Sequence, residues 1–425
     1  MTGNRPGTKR LDAILEFVGT PRFSAALSTA IIGAAFFSFL LKNLIGWAGL
    51  FAILAGLVAF AALSLIGQRD ILEWRGFLPF SLLAFLGWSA ISIIFSQYQW
   101  ASLGGIAYQF AFALLGVYVA LARDFIQIVR IVGNVLRAVI GVSLVAELVV
   151  GVLLDTSFPF LGILGRLGAG GPIQGVMGTR NQLGLVALLA LVTFGTEVLT
   201  RSINRTIGIA SLVFASFTIL LSQSPVNLGV LAVLGIASLG LLGLRRVSVE
   251  SRRYWLWGLG TAAIVALIIL FAARDRVLAL LGATGDFKYR LGLWNNLFPF
   301  IQLRPLQGWG WVGQWPPDIV PFGAIDPSID HLSALNAYLD VWFQLGVIGL
   351  IAFLLFAALA IVRAWVLATQ KRSRVFVWPA LVLVALIATS TAESGVLIEW
   401  GWLILVVCSV KVAQHLRWRQ PLTSE

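Results

Sequence analysis

Apolar residues run through this chain in blocks of about 20, separated by short polar breaks, from Phe23 almost to the C-terminus. A block of that length is what an α-helix needs to cross the hydrocarbon layer of a bilayer. The blocks predict helices near 23–41, 45–66, 78–96, 104–122, 131–153, 182–200, 206–222, 225–244, 254–273, 336–361, 376–391 and 395–414. No stretch alternates polar and apolar residues with period 2, as the strands of a membrane barrel do. The expected fold class is therefore an all-α polytopic membrane protein of about twelve spans.

Composition and charge add sidedness. Of 425 residues, 59% are hydrophobic and 11% charged, more apolar sequence than a soluble core absorbs. The net charge of +12 comes from basic residues at alternate span ends. Arg22 precedes the first span, Arg69 and Arg75 follow the second, Arg123 and Arg130 the fourth, Arg201 and Arg205 the sixth. Arg245 and Arg246 follow the eighth, Lys371, Arg372 and Arg374 the tenth, and Arg417 and Arg419 close the chain. Short loops rich in Lys and Arg stay in the cytoplasm, so both termini are expected there. The charge then signals topology and holds anionic lipid heads rather than nucleic acid. Lys42 is the one discordant residue among the short outward loops. The first residues lack a short apolar core with a cleavage site, so no removable signal peptide is expected. The single cysteine, Cys408, reads as packing.

The chain divides into a cytoplasmic tail at 1–22, nine spans over 23–273 with an outward loop at 155–181, a large extracytoplasmic loop at 274–335, three spans over 336–414, and a cytoplasmic tail at 415–425. Long loops beside a membrane core commonly carry the site. In the first loop Arg166 and Arg180 stand among glycines, where backbone N–H groups and guanidinium forks suit phosphate oxygens. Both arginines equally suit anchors in the headgroup layer. In the second loop Leu291, Trp294, Leu297 and Ile301 recur at helix spacing beside Lys288, Arg290 and Arg304, predicting an amphipathic helix on the membrane surface. The stretch "GWGWVGQW" reads as an aromatic belt or as a platform for sugar rings. His331, Asn336 and Asp340 stand at the mouth of the tenth span; were 331–336 helical, His331 and Asn336 would lie roughly a turn apart. A histidine there either takes a proton from an attacking hydroxyl or serves as a hydrogen-bonded structural residue. Glu393 is expected to face outside, and Glu147 fits a hydrogen-bonded packing role. Asp326, Asp330 and Asp340 would suit a divalent metal, but their neighbours in "DPSID" read as turn and helix-start chemistry, so no metal site is expected.

Four stretches in this order, "GWSAISIIFSQYQWASLGGI", "GTRNQLGLVALLAL", "RLGLW" with "RPLQGWGW", and "ALNAYLDVWFQLGVIGL", resemble the O-antigen ligase and polymerase superfamily of bacterial membrane glycosyltransferases. The resemblance covers most of the chain and implies a GT-C-like helical fold with its largest outward loop between spans nine and ten. It implies transfer of a glycan from an undecaprenyl-diphosphate-linked donor to a hydroxyl of a glycan or glycolipid acceptor. The reaction would occur on the outer face of the cytoplasmic membrane, without cofactor or metal. Arg290, with Leu293 and Trp294 after it, matches a family arginine implicated in catalysis or diphosphate binding, and Arg180 and Asn181 match the end of a Gly-rich stretch. The family's His-Asn pair before the tenth span reads Leu335-Asn336 here, with the histidine displaced to His331. The Ser-Arg that commonly leaves the seventh span is missing from "LSQSPVNLG". The expected catalytic residues are Arg290 and His331; the expected substrate contacts are Arg166, Arg180, Asn181, Lys288, Trp294, Arg304, Asn336 and Glu393.

Two alternatives are weighed against this reading. A lipid-linked glycan transporter or flippase would carry broken helices, internal repeats and buried charges, none of which is evident in the sequence. A shape-determining peptidoglycan polymerase carries an acidic loop signature that is not visible here.

Overall fold

The computed structural model describes residues 16–69, 78–248, 250–325 and 332–416. The regular elements among these residues are all helical, with no β-strand. In chain order they are α1 (Pro21–Phe36), α2 (Ser38–Gly67), α3 (Phe80–Ile91), α4 (Gln99–Ala122), α5 (Phe125–Leu148), α6 (Arg180–Thr200), α7 (Arg205–Ser222) and α8 (Pro225–Arg246). There follow α9 (Arg252–Ala272), α10 (Arg274–Leu280), α11 (Thr284–Leu303), α12 (Ala337–Gln370), α13 (Val377–Thr389) and α14 (Glu399–His415). The apolar blocks of the sequence fall on these helices, the first, 23–41, running from α1 past Phe37 into the start of α2, while α10 and α11 arise inside the 274–335 loop. Among the described residues seven helices, α2, α4, α5, α6, α7, α8 and α12, are long and apolar enough to cross a bilayer. The protein is a multi-pass membrane protein.

Helix starts are written locally. Thr20, Thr179, Asn204 and Ser224 cap α1, α6, α7 and α8 with side-chain oxygens that accept from backbone N–H groups of the first turn. Asp124 and Gln127 form a reciprocal capping box on α5. These caps satisfy donors that lipid cannot.

The chain forms two compact units. The first comprises Met1–Leu82, Ala107–Gln223 and Leu397–Glu425. Within it α1 packs on α2, α5 and α14, and α6 packs between α5 and α7. The Gly-rich loop after α5 is tied back to that helix: Glu147 Oε1 accepts from Gln174 N at 3.1 Å and Gly175 N at 2.9 Å, and Ser143 Oγ accepts from Val176 N. Glu147 thus has the packing role its sequence position suits. The discordant Lys42 is explained as well: its ammonium lies 2.6 Å from Glu399 Oε1, which also accepts from Tyr108, while Ser38 donates to Glu399 Oε2.

The second unit comprises Leu83–Ile106 and Ser224–Val396. Here α8 packs on α12 and α13, α12 packs on α13, and α11 packs on α12. Helix α12 is broken at Gly346, whose φ of 66° and ψ of −173° lie outside any helix. A side chain there would place its Cβ 2.1 Å from Leu306 O, so glycine is required both for the left-handed φ and for the close approach. Helix α2 has a similar break at Gly46. The sequence reading, which saw neither broken helices nor buried charges, is corrected on both counts. Glycine is common in transmembrane sequence, so no single one announces a break.

Candidate active site

The 274–335 loop folds onto the broken helix. Breaking α12 frees backbone groups that need partners inside a membrane protein. Trp309 N donates to Phe343 O at 3.1 Å, Gly310 N to Gln344 O at 2.8 Å, and Trp88 Nε1 to Leu345 O at 2.9 Å. Val347 N donates in return to Pro305 O at 2.9 Å. The segment "RPLQGWGW" therefore acts as a backbone patch over the break, which is why so polar a stretch sits beside so apolar a helix.

Helix α11 lies across this patch. Its buried positions are Arg290, Leu293, Leu297 and Ile301, a stripe at helix spacing that packs on Val312, Trp315, Phe322, Ala334 and Phe343. This corrects the predicted stripe: Leu291 is 40% exposed, and the inward face begins instead at Arg290. The apolar residues alone fit either phase; the buried arginine chooses between them, and a count of apolar positions cannot see it. The Trp-rich stretch is corrected too. Trp311 and Trp315 are buried core residues rather than a belt or a sugar platform.

Arg290 is only 8% exposed and ties three pieces of chain together. Its Nη1 donates to Leu335 O at 2.9 Å and to Ala392 O, and its Nη2 donates to Glu393 Oε1 at 2.9 Å. One turn along, Trp294 Nε1 donates to Ala334 O at 2.9 Å. The carbonyls around 390–392, just past the C-terminus of α13, take further donors: Ala337 N on Ser390 O and Asn336 Nδ2 on Thr391 O. Cations and donors are favoured at such an end, where carbonyls lack helical partners. Of the five N–H donors of the guanidinium, two have no partner among the described residues.

Leu335, which holds the position of the family's histidine, has φ 49°, a strained value for a branched residue. Residues 332–336 are not helical, and α12 begins only at Ala337. The helical spacing expected for 331–336 is thereby overturned, and with it the route by which His331 would face as the missing histidine does. His331 itself lies outside the described residues.

The structure brings Arg290, Trp294, Asn336 and Glu393 together in the second unit. Asn336 is the N-cap of α12, its Oδ1 accepting from Tyr338 N and Leu339 N. Lys288 is exposed, and Arg304 stacks on Trp309 at 4.4 Å while donating to Phe95 O. Arg166, exposed, and the half-buried Arg180 and Asn181 belong to the first unit. Among the described residues no cluster of three His, Cys, Asp or Glu side chains is placed to hold a metal.

Sequence reasoning noted Asp340 at the mouth of the tenth span without giving it a role, and missed Gln344. Asp340 is buried; its Oδ1 accepts from Trp315 Nε1 at 2.7 Å and Gln344 Nε2 at 2.9 Å, and its Oδ2 from Ala334 N at 3.3 Å. Gln344 Oε1 accepts in turn from Val312 N and Gly313 N. The signal was present: a polar pair at i, i+4 on one face of an otherwise apolar helix.

No curated protein matches the chain. A family model does, over residues 210–354, a stretch that begins in α7, contains Arg290, Asn336, Asp340 and the break at Gly346, and ends before Glu393. That model is described as O-antigen ligase, and the match supports the O-antigen ligase and polymerase superfamily as the family of this chain.

Proposed function

We propose that the protein transfers a glycan from an undecaprenyl-diphosphate-linked donor to an acceptor hydroxyl on the outer face of the cytoplasmic membrane, as a ligase or polymerase of this superfamily. The carrying observation is Arg290, a buried arginine inside the matched stretch, fixed by two carbonyls and a carboxylate. The chemistry is attack by the hydroxyl oxygen on the anomeric carbon, with the lipid diphosphate leaving and the hydroxyl proton passing to a base. Negative charge grows on the leaving group, and a preorganised cation stabilises it.

A guanidinium about 4 Å from a phosphate charge contributes about 4 kcal/mol at an effective dielectric near 20. Glu393, bonded to Nη2, opposes this: a carboxylate about 7 Å from the phosphate charge subtracts about 2 kcal/mol at the same dielectric. The pair together still favours the leaving group, and Arg290 alone controls about three decades of rate. General-base help is typically about 10²- to 10⁴-fold, so His331, proposed as the base, ranks second. Lys288, Trp294, Arg304 and Asn336 are proposed to line or support the same region. Arg166, Arg180 and Asn181 are proposed substrate contacts of the first unit.

The break in α12 and the buried charges would also suit a transporter, but the O-antigen ligase match favours transfer. The test is reconstitution: purified protein in vesicles, supplied with undecaprenyl-diphosphate-linked glycan and a glycan acceptor, forms the joined product, and a metal chelator leaves the rate unchanged. Absence of product under these conditions would refute transfer, and loss of product with the chelator would refute metal independence.

A further inference from the structure

Around Arg290 every partner is a backbone carbonyl or Glu393, so its placement depends on what fixes those carbonyls. Leu335 O is the critical one, because it is carried by a residue at φ 49° that the backbone does not favour on its own. The peptide just before it is gripped from both sides: Ala334 O by Trp294 Nε1, Ala334 N by Asp340 Oδ2. Asp340 is itself held by Trp315 and by Gln344, and Gln344 is locked to the loop through Val312, Gly313 and the Gly313 carbonyl. A chain of buried hydrogen bonds thus runs from the rigid face of α12 to the strained carbonyl that receives the guanidinium.

We infer that Asp340 is a positioning residue for the transfer reaction, setting Arg290 against the donor diphosphate by fixing the Ala334–Leu335 backbone. The inference rests on the glycosyl-transfer reading above. Asparagine cannot accept from both Ala334 N and the Trp315–Gln344 pair, even though Ser394, the other side chain beside the carboxylate, can take an N–H from its amide. With its oxygen toward Trp315 and Gln344, its amide N–H₂ meets the Ala334 N–H; turned over, it meets two donors, and Gln344 cannot reverse because Val312 and Gly313 donate to its oxygen.

The experiment measures transfer kinetics of the full chain in vesicles with undecaprenyl-diphosphate-linked glycan, using Asp340→Asn, Arg290→Lys and the double variant, each checked for a monodisperse, cooperatively unfolding state. Misplacing a group by about 1 Å can cost about 10²-fold, so Asp340→Asn should lower kcat by about tenfold or more while donor KM stays within about threefold. Because Asp340 acts through Arg290, its substitution should cost little further in the Arg290→Lys background. Additive losses, an unchanged kcat, or a loss confined to KM would overturn the inference, whereas a wild-type protein without transfer would refute the glycosyl-transfer reading beneath it. Should Asp340→Asn fail to fold, Trp315→Phe removes one donor to Asp340 and leaves every partner of Arg290 in place. A roughly threefold fall in kcat at constant KM supports positioning, and an unaltered kcat overturns it.

Discussion

Both units pair an arginine with a buried glutamate, and the two pairs are built differently. In the first, Arg137 on α5 meets Glu197 on α6, with further bonds to Asn134 and to Ser211 on α7, and its guanidinium lies 4.6 Å from the Phe194 ring centroid. Every partner is a side chain on a regular helix, so the pair fixes how three helices pack. In the second, Arg290 is held by backbone carbonyls of irregular segments, one of them strained, with Glu393 beside it. A cation seated on loop carbonyls can be aimed, whereas one threaded between helices can only join them. The difference separates a site from a joint.

Substitutions that break this comparison rank by size. Arg290→Ala should lower transfer by about 10³-fold, because it removes the cation and leaves Glu393 facing the phosphate. The check is initial rates on folded protein. Arg137→Ala should destabilise by about 3 kcal/mol, since Glu197 is left buried and unpaired, with transfer per folded molecule within about threefold of wild type. Denaturation in detergent measures the first quantity and the vesicle assay the second. Gly346→Ala should cost about 2 kcal/mol or more from strain and the clash with Leu306 O, seen as a lower yield of folded protein.

Two smaller effects sharpen the site half of the comparison. Adding Glu393→Gln to Arg290→Ala should recover about 30-fold of the lost rate, because it removes the repulsion of about 2 kcal/mol. A double variant no faster than Arg290→Ala would show that Glu393 does not face the substrate charge. Asn336→Ala should cost about 1 kcal/mol as a lost N-cap, read from the unfolding midpoint.

The sequence made the helices legible because each one declares itself locally, through apolar runs and through caps such as Asp124 and Thr179. Arg290 and Trp294 stand out in the sequence through a resemblance and Glu393 as an ionisable residue beside an apolar run; the structure brings the three together in the second unit. What the sequence could not show depends on closure over long sequence distances. Arg290 meets its partners 45 and more residues away, and no local period encodes those bonds. The inward phase of α11 and the break at Gly346 are set by the same loop, so both were misread together. The helical spacing expected over 331–336 is not adopted at 332–336, where Leu335 has φ 49°, and no local period announces that turn.

The central claim is that the arginine seated on loop carbonyls acts on the substrate and the arginine between helices does not. The most direct measurement is the transfer rate from undecaprenyl-diphosphate-linked glycan, per folded molecule, for Arg290→Ala and Arg137→Ala side by side. The account predicts a loss of about 10³-fold for the first and less than about threefold for the second. Equal losses, or an active Arg290→Ala protein, would contradict it.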